Sequence, residues 1–109
     1  MTGPTLERRH AVRIPATLAV EIRYGKGFSL HSSSDISAGG LFFDRAIPHP
    51  LGATVDLSFT LPGDTRAVRC GGQVVNVPDS TSFGMGIRFL DLTPEDEARI
   101  KSFITETGP

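Results

Sequence analysis

Two short stretches of the chain carry side chains suited to holding an anion. The first, ERRHAVRIP, spans residues 7–15 and places Arg8, Arg9 and Arg13 within six positions, in a chain whose formal net charge is only -1. Arginine presents planar, bidentate donors that fit phosphate oxygens and the O6/N7 edge of guanine. The second is Asp35-Ile36-Ser37-Ala38-Gly39-Gly40. In an extended chain Asp35 and Ser37 point to the same face, and the glycines permit positive φ and close backbone approach. A carboxylate, a hydroxyl and exposed amides then meet at a strand end. The carboxylate accepts from guanine N1–H and N2–H, while the hydroxyl and the amides reach phosphate. A ligand with anionic phosphates and guanine bases uses every one of these groups. Each stretch also has a plainer reading: a solvated basic tail for the arginines, and a turn bonded to its own backbone for Asp35 and Ser37.

Other chemistry finds little support. His10, His31 and His49 lie far apart with no partner at metal-ligand spacing, which argues against zinc. Cys70 is the single cysteine; it sits in an apolar stretch and reads as a small core residue. No serine lies in a nucleophile elbow, and there is neither a Walker A loop nor a G-x-G-x-x-G opening a helix. The acids Glu95, Asp96 and Glu97 suit a helix N-terminus electrostatically. The expectation is a protein that binds rather than catalyses.

The elements that must position the two stretches read mostly as strands. With 109 residues and 39% apolar composition, the chain fits one domain with one core. Residues 1–15 are polar and bounded by prolines, which predicts a flexible arm; Pro15 biases Ile14 toward extended backbone, so the arm enters the fold as a strand. Leu18, Val20, Ile22 and Tyr24 alternate with polar or small residues, the period of a strand with one buried face. Phe28 to Ile36 predicts a second strand, ended by Gly39-Gly40. Leu41-Phe42-Phe43 is a short apolar run, and 47–52 is a loop. Val55, Leu57 and Phe59 alternate again. Ala67 to Val77 forms a long strand with a bulge or bend expected at Gly71-Gly72. Phe83, Met85, Ile87 and Phe89 alternate with Gly84, Gly86 and Arg88, leaving one bare face. Thr93-Pro94-Glu95-Asp96 opens a helix, which Ile100, Phe103 and Ile104 continue at helical spacing and Gly108 stops. Roughly six short strands and one helix predict a small antiparallel barrel or sandwich over residues 16–109; a barrel this size is too small for a deep pocket and puts any ligand on its outside.

At this point the chain is recognisable. Arg9-His10-Ala11-Val12-Arg13 has the form RxxxR, and Asp35 to Gly40 has the form (D/N)xSxxG. The ordered pair resembles the signature of PilZ domains, the bacterial receptors for cyclic di-GMP. GMGIRFLDLTPEDEARIKSFI is similar to that family's last strand and C-terminal helix. The resemblance implies an all-β fold with one C-terminal helix, a six-stranded antiparallel β-barrel with the nucleotide on its outer surface. It assigns Arg9 and Arg13 to phosphate and guanine, with Arg8 adding charge. It gives Asp35 a guanine edge, Ser37 support of base or phosphate, and Gly40 the turn. Some family members add an aromatic or basic residue from a neighbouring strand; Gln73-Val74-Val75-Asn76 supplies neither, and one nucleotide or a stacked pair both remain open.

These readings converge on a receptor or adaptor whose arm orders on binding cyclic di-GMP and which signals through an unidentified downstream protein. An alternative is a PilZ-like interaction module that binds no nucleotide. Binding of DNA or RNA is not expected: one tyrosine, no tryptophan and a pI near 6.3 do not make a basic, aromatic groove. MTGPTLERRH holds no apolar run of a secretory signal, and no stretch reaches the roughly 20 residues of a membrane span. A cytoplasmic protein without metal or further cofactor is the expectation.

Overall fold

Alternation along Leu18–Tyr24 becomes a strand whose apolar side chains turn inward as far as Ile22, with Tyr24 exposed. A computed structural model describes residues 12–46, 48–77 and 84–107 of the chain. In it β2 (Ala19–Tyr24) buries Val20 and Ile22 completely. Around it stand β1 (Arg13–Pro15), β3 (Gly27–Ser32), β4 (Asp35–Ser37), β5 (Gly40–Phe43), β6 (Thr54–Phe59), β7 (Val68–Asn76) and β8 (Met85–Leu90), followed by helix α1 (Pro94–Thr107). All pairings are antiparallel, in the order β1-β4-β5-β8-β7-β6-β2-β3.

The architecture is therefore an open eight-stranded sheet with one C-terminal helix, not the closed six-stranded barrel expected from the sequence. Two local events account for the count. The arm enters the fold as a strand, as Pro15 implied, and adds to the count: β1 pairs with β4, and Ile14 is buried between flanking exposed residues. The predicted strand Phe28–Ile36 breaks at Ser33-Ser34 into β3 and β4. The break follows from a mismatch in register. Pro15 faces Asp35 and Ala19 faces Ser32, so three residues on one run stand against two on the other. Ser33 absorbs the mismatch. Its buried hydroxyl accepts from the Leu18 amide at 3.0 Å and donates to the Ala16 carbonyl at 2.6 Å. Without it, the buried Leu18 amide would lack a partner, at a cost of about 1–3 kcal/mol, and the half-buried Ala16 carbonyl would lose this donor. β1–β2 and β3–β4 are thus one bent hairpin, whose two halves lie at opposite ends of the sheet order.

The core lies on the inner face. Ile14, Val20, Ile22, Ile36, Leu41, Leu57, Val68, Val74, Ile87 and Ile100 are all nearly or wholly buried. Helix α1 packs against β1 and β4, with Ile100 at the centre of its apolar face and Phe103 and Ile104 beside it. Its start is as expected: the Thr93 hydroxyl accepts from the Asp96 amide at 3.1 Å, an N-cap. Arg99 ties the helix to the loop before β7 through Asp64 at 2.9 Å and also holds Asp96 at 2.7 Å. The expected bulge falls elsewhere: β7 is regular at Gly71-Gly72 and shifts register between Val74 and Asn76. Gly72 serves packing instead, since a Cβ there would meet Ile87 Cγ2 at 2.6 Å and Leu57 Cδ1 at 2.8 Å. The helix stop at Gly108 and the strand position Phe83 lie outside the described residues.

His31 and His49, distant in sequence, come together at the β3 end of the sheet. The His31 ring stands edge-on to Phe43 and shares a 2.8 Å hydrogen bond with Ser29 Oγ. The His49 ring lies 4.8 Å from that of Tyr24. Burial, with His49 adding repulsion, holds His31 below the usual histidine range. The unfolded chain therefore binds more protons than the folded one just below the ordinary histidine value of 6.5, and stability falls as pH drops through that value. Melting temperature should be higher at about pH 7.5 than at about pH 5.5, and His31→Gln should reduce the difference. Coincident pH profiles of the two proteins would contradict this account.

Candidate functional site

β4 and β5 form a tight hairpin, and its outer face gathers residues that the sequence separates. Ser37 sits at the turn, buried, and its hydroxyl accepts from the Gly39 amide at 3.1 Å and the Gly40 amide at 3.2 Å. The plainer reading of this motif is thus realised for Ser37: it bonds the turn backbone. Neither Gly39 nor Gly40 has positive φ, so Gly40 is not required for the turn's backbone angles. Its role is close approach. A Cβ at Gly40 would stand 2.2 Å from the Ile87 carbonyl oxygen and 3.1 Å from Arg88 Cα.

Asp35 does not bond the turn. Its carboxylate lies 3.7 Å from Arg13 Nε and 3.3 Å from the Ser34 hydroxyl. The Arg13 guanidinium also lies over the Phe42 ring, 4.2 Å from its centroid. This places a cation, a carboxylate and an aromatic face together on three adjacent strands. Arg13 is half exposed and its ion pair is long; such a pair contributes about 0–1 kcal/mol, and the cation–π contact about as much. Arg13 is thus oriented without being tightly held. Arg8 and Arg9 lie outside the described residues.

Phe42 was missed in the sequence, where Leu41-Phe42-Phe43 reads as one apolar run. Its neighbours carry the signal: Leu41 and Phe43 are buried, so alternation puts Phe42 on the outer face. Cross-strand register then orders that face into two rows. One runs Arg13, Ser37, Gly40, Arg88, Gln73 across β1, β4, β5, β8 and β7. The next runs Pro15, Asp35, Phe42, Gly86, Asn76. The first is cationic at two positions with small residues between them. The second holds one carboxylate, one aromatic ring and a bare glycine beside it, where a Cβ would lie 3.5 Å from Phe42 Cδ2.

A cavity of about 530 Å³ opens elsewhere, over β2, β6 and β7. Glu21, Asp56 and Asp91 outnumber Arg23 and Arg69 in its lining, and Arg23 is already paired with Glu21 at 3.3 Å. That balance does not suit an anion. Cys70, also in its lining, is no nucleophile: burial, with Asp91 and Asp96 adding to it, pushes its thiol up to about 12. Among the described residues no three potential metal ligands come together, and no helix is long and apolar enough to cross a membrane.

A model of the PilZ domain matches residues 7–106. The chain belongs to the PilZ domain family. No catalytic family is indicated, and among curated protein sequences none matches the chain. Several solved structures share the fold. Bacillus subtilis inhibitor of motility (MotI/DgrA) is 25% identical, with a TM-score of 0.76 over 91% of this chain and 51% of its own. This chain therefore spans about half of that protein's length. The PilZ domain of CeSA from a cellulose-synthesizing bacterium is 18% identical, with a TM-score of 0.65 over 88% of this chain and 97% of its own. The PilZ domain of Escherichia coli YcgR, solved with c-di-GMP, is also 18% identical, with a TM-score of 0.66 over 91% of this chain and 90% of its own.

The geometry separates the two roles proposed for the glycines. Gly40→Ala should destabilise the protein by about 1–3 kcal/mol, as overpacking does. Gly39→Ala, where the nearest atom to a new Cβ is Ser37 Oγ at 3.9 Å, should be close to neutral, within about 0.5 kcal/mol. Urea unfolding measures both. Equal effects would contradict the close-approach role of Gly40.

Proposed function

We propose that the protein is a receptor and adaptor for cyclic di-GMP, bound on the outer face of β1, β4 and β5 and passed on as a signal to a partner protein. One observation carries the reading: Arg13, Asp35 and Phe42 converge beside a turn that Ser37 holds from within. Membership of the PilZ family and likeness to the c-di-GMP complex of YcgR support it.

The two rows divide the work. Arg13, with Arg8 and Arg9 arriving from the N-terminal segment, supplies bidentate donors for phosphate and for the O6/N7 edge of guanine. Asp35 accepts from guanine N1–H and N2–H. Phe42 gives a guanine or an arginine plane a surface to stack on. Ser37 supports the ligand by holding the turn, and Gly40 keeps β5 and β8 close enough for the face to stay continuous. The ligand competes with Asp35 for Arg13, and the weak ion pair makes that exchange inexpensive. Residues 1–12 order over the nucleotide as Arg8 and Arg9 engage it, presenting a new surface to a cytoplasmic partner.

Calorimetric titration with cyclic di-GMP, with GTP and cyclic di-AMP as controls, tests this. Selective binding is expected, weakened about tenfold or more by Arg13→Ala and by Asp35→Ala. Amide hydrogen exchange in residues 1–12 should slow on adding the nucleotide. A folded protein that binds none of the three would overturn the receptor reading in favour of a nucleotide-independent interaction module; unchanged exchange would overturn the ordering of the arm.

A further inference from the structure

The first row of the outer face holds a second arginine. Arg88 on β8 is the cross-strand partner of Gly40, as Ser37 is on the other side. It is exposed, it lies on the same face as Phe42, and it is paired with no carboxylate among the described residues. Among the described residues its one side-chain hydrogen bond runs from Nε to Gln73 Oε1 at 3.2 Å. Gln73 is itself the cross-strand partner of Arg88 on β7, and its amide donates to the Gly52 carbonyl at 3.5 Å. A neutral acceptor thus occupies Nε and orients the guanidinium. Neither terminal nitrogen has a partner among the described residues, and together they form the two-pronged edge that grips a phosphate or a guanine Hoogsteen edge.

Three strand spacings, about 14 Å at Cα, separate Arg13 from Arg88. Between them lie only Ser37 and Gly40 in that row, and no acid. The row thus has a cation at each end and two small, buried residues between, with no bulky side chain standing up from the sheet.

We propose that Arg88, positioned by Gln73, is a second anion-binding arginine of the nucleotide site, gripping cyclic di-GMP from the side opposite Arg13 across the small residues Ser37 and Gly40. This rests on the receptor reading and extends the site from three strands to five. It also assigns the basic contact that the 73–76 stretch of β7 cannot supply: β7 contributes the residue that orients the arginine, and β8 contributes the arginine.

The test is calorimetry with cyclic di-GMP on the whole chain, wild type beside variants, with thermal melting of each as the check on folding. Arg88→Ala should weaken binding about tenfold, and Arg88→Lys should recover only part of it, because an ammonium keeps the charge and loses the fork. Gln73→Glu keeps an acceptor for Nε but neutralises the guanidinium, so it should weaken binding without lowering the melting temperature. The double variant Gln73→Ala with Arg88→Ala should bind as Arg88→Ala does, since Gln73 acts through Arg88. Lys26→Ala, which removes a charge in the β2–β3 turn, should change nothing. If the wild type does not bind, the receptor reading falls and this inference with it. If the wild type binds and loses affinity in Arg13→Ala but not in Arg88→Ala or Gln73→Glu, the receptor stands and this inference is overturned. Should Arg88→Ala fail to fold, Arg88→Lys and Gln73→Glu carry the same decision.

Discussion

The contact between Gly40 and β8 is the constraint on which the outer face depends. With no side chain at Gly40, β5 settles against the Ile87 carbonyl at a distance that no Cβ would allow. That approach fixes Gly40 opposite Arg88 and Phe42 opposite Gly86. A slip of one residue would exchange the faces of β5, turning Phe42 inward and Leu41 and Phe43 out. Ser37 secures the same register from the other side by accepting both turn amides. The alignment of both rows therefore follows from one glycine and one buried hydroxyl.

Helix α1 supports the site from behind. It packs on β1 and β4, where Ile14 and Ile36 face the core, and so backs the strands that carry Arg13 and Asp35. The side chains on the outer face are held more loosely. Arg13 has a long ion pair and a cation–π contact, and Arg88 has a single neutral acceptor. Rigid backbone with lightly held arginines suits a face that exchanges internal partners for an incoming anion at little cost.

Much of this was legible beforehand. Period-two alternation marked β2, β6 and β8, and Thr93-Pro94 marked the helix start. The two arginine- and aspartate-bearing motifs, some 20 residues apart, do meet: Arg13 reaches Asp35. The features that escaped the reading depend on long-range pairing. No glycine or proline announces the break at Ser33-Ser34; it arises from the mismatch with residues 16–18. Pro15 announced β1 as an extended entry to the fold, but not its pairing with β4. Phe42 was hidden inside an apolar run, and Gly71-Gly72 looked like a bend because glycines that serve packing have the same spelling as glycines that serve a turn. Arg88 was read only as the polar half of an alternation. Its significance appears once register sets it opposite Gly40, which no local pattern encodes.

The central claim is a place: the face built from the two rows, and not the cavity over β2, β6 and β7. Backbone amide shifts of the isotope-labelled protein, followed during titration with cyclic di-GMP, locate the ligand directly. The account predicts that the largest changes fall on Gly39, Gly40, Phe42, Gly86 and Arg88, with Arg13 and Asp35 among them. Changes concentrated instead on Glu21, Arg23, Asp56 and Arg69 would place the ligand in the cavity and contradict it.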